Sequence, residues 1–323
     1  MGATPPDSMP SKPRPTASAK PGAITGPQAD PAFRPLAAPE VRHRAMLAHV
    51  THHLREGLDA LIGRPMGAAL LQVWHRNWPG AATVERLGLP RHNLERLLGR
   101  PALTLHLNPR ELVQFAEHDP DRRKKRPSSL AFIWEGDWDL RRSDLRRDYW
   151  LGHMRDLDEN RHHLERTRKY QELMDRAAAG RPWQSHREGL YLDSHERILA
   201  FLQLYLDFMD NMARHGYDEN RAKDPLGVVI SREGRVLKIN RGLHRLGMAQ
   251  WLGLPSIPVQ VQHVHRLWWL QITEGRRGPD ALERMCAALR ECVPEQAHGP
   301  LSAGEPFVPD ADFWPAPQHE QAS

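Results

Sequence analysis

The stretch Val228-Val229-Ile230-Ser231-Arg232-Glu233-Gly234-Arg235-Val236-Leu237-Lys238-Ile239-Asn240-Arg241-Gly242-Leu243-His244-Arg245 decides how this chain is read. Val228 to Ile230 is a β-branched run suited to an enclosed strand. Arg232-Glu233-Gly234-Arg235 has the composition of a hairpin turn, and Val236-Leu237-Lys238-Ile239 alternates as a half-buried strand does. A helix is expected next. Asn240 is placed to cap it, and Gly242 lets the backbone pass close to a ligand. Leu243, Leu246, Met248, Ala249, Trp251 and Leu252 give the helix an apolar face before Gly253 stops it. Leu254 to Pro258 then returns the chain to a third strand, Val259-Gln260-Val261.

Strand, turn, strand and helix in that order form the layout of an anion site. A helix N-terminus presents unpaired N–H groups and about half a positive charge. His244 and Arg245 fall in its first turn. The planar fork of arginine fits phosphate or carboxylate, and a neighbouring histidine adds a donor that strengthens as pH falls. The same spacing also suits a structural role, with Arg245 paired to a buried acid and His244 capping the turn.

A second constellation is Glu135-Gly136-Asp137-Trp138-Asp139, which follows the apolar run Leu130-Ala131-Phe132-Ile133-Trp134. Carboxylates two residues apart on an extended chain point the same way, and a loop lets both converge on one Mg²⁺. Phosphoryl transfer needs such a clamp and a carboxylate beside the acceptor hydroxyl. Glu135, Asp137 and Asp139 are therefore the candidate catalytic residues, with Asp137 and Asp139 as candidate metal ligands. In the competing reading the aspartates cap a turn and pair with Arg141, Arg142, Arg146 and Arg147.

These pieces resemble the core of the ParB/sulfiredoxin superfamily, and more narrowly a bacterial ParB-like branch with a G-D-W-D motif whose function is poorly characterised. The matching segments are Leu105-His106-Leu107-Asn108-Pro109 with Leu112, Trp134 to Asp139, Leu190-Tyr191 with the helix after it, Ile230 to Val261, and the trailing His265 and Trp268. The resemblance runs roughly from Ala102 to Leu270. It implies an α+β fold with a small mixed sheet surrounded by helices. It also implies a nucleotide (ATP, ADP or CTP) with Mg, phosphates held at Asn240, Gly242, Leu243, His244 and Arg245, and His265 as a polar contact near the nucleotide or acceptor. The implied activity is a Mg-dependent small-molecule phosphotransferase or NTPase; the alternatives are a non-catalytic nucleotide-gated scaffold and a DNA-binding ParB-like protein. Leu243 stands where sulfiredoxins carry their reactive cysteine, so thiol repair is not expected. The arginine-rich box and downstream helix-turn-helix of partition proteins have no clear counterpart, and Asn240 occupies a position that is often acidic.

The rest of the chain bounds these readings. Its 323 residues are 40% apolar with a net charge of +5, enough for one large or two modest domains. Residues 1–40 hold ten of the 28 prolines and read as a disordered tail. Residues 41–100 read as a helical region, 101–275 as the core, and 276–323 as a last helix with a loose tail. No secretory h-region and no apolar run of membrane-spanning length is present, and two cysteines, Cys286 and Cys292, support neither a disulfide framework nor a zinc site; a cytoplasmic protein is expected. The densest basic cluster, Arg122-Arg123-Lys124-Lys125-Arg126, is a candidate nucleic-acid contact or a solvated loop. His52-His53 and His162-His163 are adjacent and diverge on a helix, whereas His263 and His265 share a strand face without an evident third ligand. Helices are expected over 41–61, 68–78, 160–179, 194–215 and 280–292, the fourth carrying one continuous apolar stripe from Ile198 to Met212.

Overall fold

The hairpin at the centre of the sequence forms as its residues demand. The computed structural model describes Phe33, Leu36, Val50, Gly57 and residues 59–117, 127–185, 189–218, 225–239 and 242–317. The rest of the Pro-rich tail, most of 41–58, the basic run Arg122–Arg126, and Asn240 with Arg241 lie outside the described residues. Within the turn, Ser231 donates its backbone N–H to Arg235 O at 2.8 Å and Gly234 to Ser231 O at 3.1 Å. Gly234 adopts φ 79°, and a Cβ there would lie 2.9 Å from Trp268 Nε1, so both backbone and space require glycine.

In chain order the strands are β1 (Thr104–Leu107), β2 (Gln114–Ala116), β3 (Ile133–Trp134), β4 (Arg142–Asp144), β5 (Trp183–Ser185), β6 (Leu190–Leu192), β7 (Gly227–Ile230), β8 (Val236–Lys238) and β9 (Ile257–His265). The α-helices are α1 (Arg64–His75), α2 (Ala81–Arg86), α3 (Arg91–Leu98), α4 (Tyr149–Glu159), α5 (Arg168–Ala178), α6 (His195–His215), α7 (Leu243–Leu252), α8 (Arg266–Thr273) and α9 (Gly278–Leu289). Among the described residues the architecture is thus mixed α+β, with helices around one mixed seven-stranded sheet and β5–β6 as a separate two-stranded pair.

The sheet runs β1-β9-β7-β8-β2-β4, with β3 also on β9. β9 organises it. One edge of β9 takes β1 antiparallel through its first residues and β3 parallel through Val264 and His265, while the other edge takes β7 in parallel. The β7–β9 register shifts between Val228, opposite Val261, and Val229, opposite His263, which leaves Gln262 as the extra residue of a bulge. All four residues of β7 and all three of β8 are buried, so Lys238 is enclosed although its strand alternates in sequence. The stripe of α6 packs against α4, α5 and α7, burying Ile198, Phe201, Leu202, Tyr205, Met209 and Met212.

Three expectations shift. The charged helix expected from Asn160 begins at Arg168, because Thr167 caps it by accepting the Tyr170 N–H at 3.2 Å; Asn160 itself is the C-cap of α4, and the stretch between holds a short 3-10 turn, Leu164–Arg166. The last helix ends at Leu289, which places Cys286 on it and Cys292 beyond it. The segment after Pro294, read as loose, is pinned over residues 301–315. Leu301 donates to Leu140 O at 3.0 Å, Ser302 Oγ accepts from Arg142 N at 2.7 Å, and Arg110 donates to Pro315 O at 2.8 Å.

Candidate anion site and carboxylate clasp

At the base of the hairpin the chain leaves β8 and enters α7. Gly242 is the N-cap at φ 78° and makes no side-chain capping bond, so the helix starts two residues later than the cap expected at Asn240. Gly242 seats on Leu226: an added Cβ would lie 3.2 Å from Leu226 Cγ and 3.6 Å from Arg245 Nη2. Arg245 donates to the Tyr217 hydroxyl at 2.9 Å, with its guanidinium carbon 5.8 Å from the centre of that ring. Leu243 packs against the core. Lys238, fully buried at the same end, donates through Nζ to the Gly227 and Ile239 carbonyls. Burial first, and the charge of Arg245 second, push its ammonium down to about 7.

His244 turns away from this end. Its ring lies 4.1 Å from Trp150 and 5.0 Å from Tyr205, and its Nδ1 is sealed with no hydrogen-bond partner among the described residues. Burial holds it down to about 4, and His153 beside it down to about 3. In this arrangement His244 is a neutral ring and not a cationic phosphate donor.

The carboxylates gather at the opposite end, around the hairpin tip. Asp139 is fully buried and accepts from Arg232 three ways: from its backbone N–H at 2.8 Å, from Nε at 3.1 Å and from Nη2 at 2.8 Å. Burial alone would raise the Asp139 carboxyl, yet the Arg232 hydrogen bonds outweigh it and hold the group below the usual carboxylate range. Asp137, exposed, meets Arg232 Nη2 at 3.0 Å, and Glu135, also exposed, meets Arg266 Nε at 3.1 Å. His265 caps α8 by accepting the Leu267 N–H at Nδ1 (3.0 Å) and donates from Nε2 to Gly136 O at 2.8 Å, a pair of bonds that assigns the Nε2–H tautomer. His263 lies flat on Trp134 at 3.7 Å and bonds Ala131 O at 2.7 Å.

The two constellations therefore stand apart. Gly227 is level with Gln260 on β9 and Trp134 with His265; the five residue steps between them cover about 16 Å at roughly 3.3 Å per residue. Gly242, Arg245 and Lys238 share one end, while Glu135, Asp137, Asp139 and His265 share the other. His265, expected as a polar contact near the nucleotide or acceptor, belongs to the clasp. The carboxylate pair does not fit Mg²⁺ as arranged, since both Asp139 oxygens already accept from Arg232. Among the described residues no group of three or more His, Cys, Asp and Glu side chains is arranged to hold a metal, and no helix is long and apolar enough to cross a membrane. The aspartates pair with an arginine, as the competing reading held, but with Arg232 of the turn; Arg142 goes instead to Glu295 at 2.7 Å and Arg146 to Asp144 at 2.6 Å.

Two residues of the anion end were not singled out from sequence. Lys238 reads there as the polar member of an alternating strand, and nothing in its neighbours signals that β2 and β7 enclose both its edges. Tyr217 follows the Gly216 helix stop and carries no motif at all. No family model matches the chain, and neither a curated protein nor a solved structure matches it.

Proposed function

We propose that this chain is a nucleotide-binding protein of ParB/sulfiredoxin type, in which the phosphates of ATP, ADP or CTP rest against the first turn of α7. The observation that carries the reading is the gathering at Gly242: a ten-residue helix with no side-chain cap, and two cations, Arg245 and the buried Lys238, at the same end. Unpaired N–H groups, a guanidinium and an ammonium together match a polyanion better than any one of them does. The Tyr217 hydroxyl orients the guanidinium. The depressed Lys238 ammonium would be restored to full charge by a phosphate beside it.

Of the implied phosphoryl transfer and its nucleotide-gated alternative, the arrangement of the carboxylates favours gated binding. Transfer requires a carboxylate near the acceptor hydroxyl and a metal at the phosphates. Glu135, Asp137 and Asp139 lie at the far end of the hairpin and are engaged by Arg266 and Arg232. In this reading Mg²⁺ arrives on the nucleotide, and the Asp137–Asp139 loop holds the hairpin tip. The test is a thermal-shift titration of the protein with ATP, ADP, CTP and GTP, each with and without Mg²⁺, beside Arg245→Ala. The expected result is a shift with at least one nucleotide that disappears in the variant. No shift with any of the four overturns the proposal.

A further inference from the structure

A charged cavity lies beside α4, lined by none of Gly242, Arg245 and Lys238. It encloses about 310 Å³ between the start of α4, the start of α5 and the pinned C-terminal segment. That volume is at the lower end for a small-molecule site. Trp251, on its wall, is nine helical positions after Gly242, about 13 Å along α7 at roughly 1.5 Å per residue.

Its chemistry is uneven in a telling way. Four arginines line it: Arg146, Arg147, Arg155 and Arg168. Arg146 is matched by Asp144 at 2.6 Å and Arg155 by Glu159 at 2.8 Å. Arg147 reaches the Pro306 carbonyl at 3.4 Å, and Arg168 makes no side-chain hydrogen bond or ion pair among the described residues. The one lining carboxylate, Asp148, is engaged as the cap of α4, accepting the Tyr149 N–H at 2.7 Å. Two guanidiniums without a carboxylate thus face one space, with Arg168 Nη2 lying 3.5 Å from where a Cβ would stand at Gly152. Rings complete the wall. Tyr149 is 43% exposed, and Trp251 is fixed by its indole N–H on Asp158 at 2.8 Å. Trp314 is braced by Phe313 at 4.8 Å and by Arg110 at 5.4 Å.

We infer that this cleft binds a phosphorylated nucleoside unit, its phosphate on Arg147 and Arg168 and its base stacked against the aromatic wall. Guanidinium forks favour phosphate oxygens, and rings held by other contacts stack bases at little ordering cost. A free mononucleotide and the end of a single strand offer the same chemistry.

The experiment titrates the full chain with AMP by calorimetry and with a fluorescein-labelled ten-residue deoxyadenosine strand by polarisation. Four variants run beside the wild type: Arg147→Ala with Arg168→Ala, Trp314→Ala, Gly152→Met and Arg245→Ala. The expected result is binding of at least one probe, weakened tenfold or more in the arginine double variant and several-fold in Trp314→Ala. Gly152→Met, which fills the cavity floor without removing a charge, should weaken it as well and guards against misfolding of the double variant. AMP binding identifies a free nucleotide as the ligand, and binding of the strand alone identifies single-stranded nucleic acid. Loss in Arg245→Ala with full binding in the double variant and in Gly152→Met would place the probe at α7 and overturn this inference while leaving that site intact. Binding of neither probe overturns it too.

Discussion

At the tip of the β7–β8 hairpin Arg232 meets the buried carboxylate of Asp139 at 2.8 Å, whereas at its base Arg245 meets the hydroxyl of Tyr217 at 2.9 Å. The residue type is the same and the partner is different. A carboxylate with no exposure consumes the guanidinium fork and turns it into a brace. At the base the Tyr217 hydroxyl orients a guanidinium that stands beside the first turn of α7. Motif reading treats both arginines alike, because the difference lies in what the third dimension puts opposite each.

The largest effect should come from Arg232→Ala, which strands Asp139 in the interior. Loss of one partner of a buried pair costs about 3–5 kcal/mol, to be read from the urea midpoint. A loss below about 1 kcal/mol, the range of surface pairs, would show that the tip is not a brace. The Asp139 carboxyl lies below its ordinary 3.8 when folded, so the stability it supplies is present above pH 3.8 and drains away as pH falls further.

Next is Arg245→Ala, for which a nucleotide affinity loss of about 2–3 kcal/mol is expected from one charged contact. Its urea midpoint should move less than that of Arg232→Ala. The reverse order of midpoints would erase the contrast between the two ends.

His244 offers an intermediate test. Burial depresses it from 6.5 to about 4, so folding gains from its neutrality above pH 6.5 and loses that gain as pH falls toward 4. His244→Phe should remove about 1–2 kcal/mol of the stability lost between pH 6.5 and 4.5, allowing for the partial exposure of the residue. Equal acid profiles for variant and wild type would reject this account.

Lys238 bears on binding instead. With its ammonium near 7 in the free protein, a bound phosphate raises it and takes up a proton, so affinity should fall as pH rises above 7, by at most about tenfold per unit. Lys238→Met should flatten that slope. The smallest effect is expected from Asp137→Asn, an exposed partner of Arg232, at under about 1 kcal/mol in stability and no change in nucleotide affinity. A clear loss of affinity there would return Asp137 to the site and join the two ends functionally.

The hairpin, α7 and the long α6 were legible because each is written locally: β-branched runs, a turn glycine, a seven-residue apolar stripe and a glycine stop. The mixed α+β class followed from them. The start of α5 was misplaced since Asn160 and Thr167 are both acceptable caps, and only Thr167 has a helix to cap. The spatial separation of the Gly136-Asp137-Trp138-Asp139 loop from Gly242 was not legible. It depends on β3 joining β9 at Val264 and His265 and not at Gln260, a register that no stretch of either strand encodes alone. The packed C-terminal segment was masked by its composition, since Pro and Ala with scattered Phe and Trp look loose until Arg110 and Arg146 are found beneath the rings.

The position of β9 also sets the order in which this protein can assemble. Thr104 pairs with Gln260, 156 residues later (260 − 104), and β3 and β7 likewise find their partner in the same late strand. On the ribosome β1, β3 and the β7–β8 hairpin emerge with their central neighbour still unmade. Loops of that length close slowly, and the waiting strand edges are open to pairing with other chains. Nascent chains stalled before residue 257 should therefore remain sensitive to protease across β1 and β7, and resistance should appear in one step once residue 265 has cleared the tunnel.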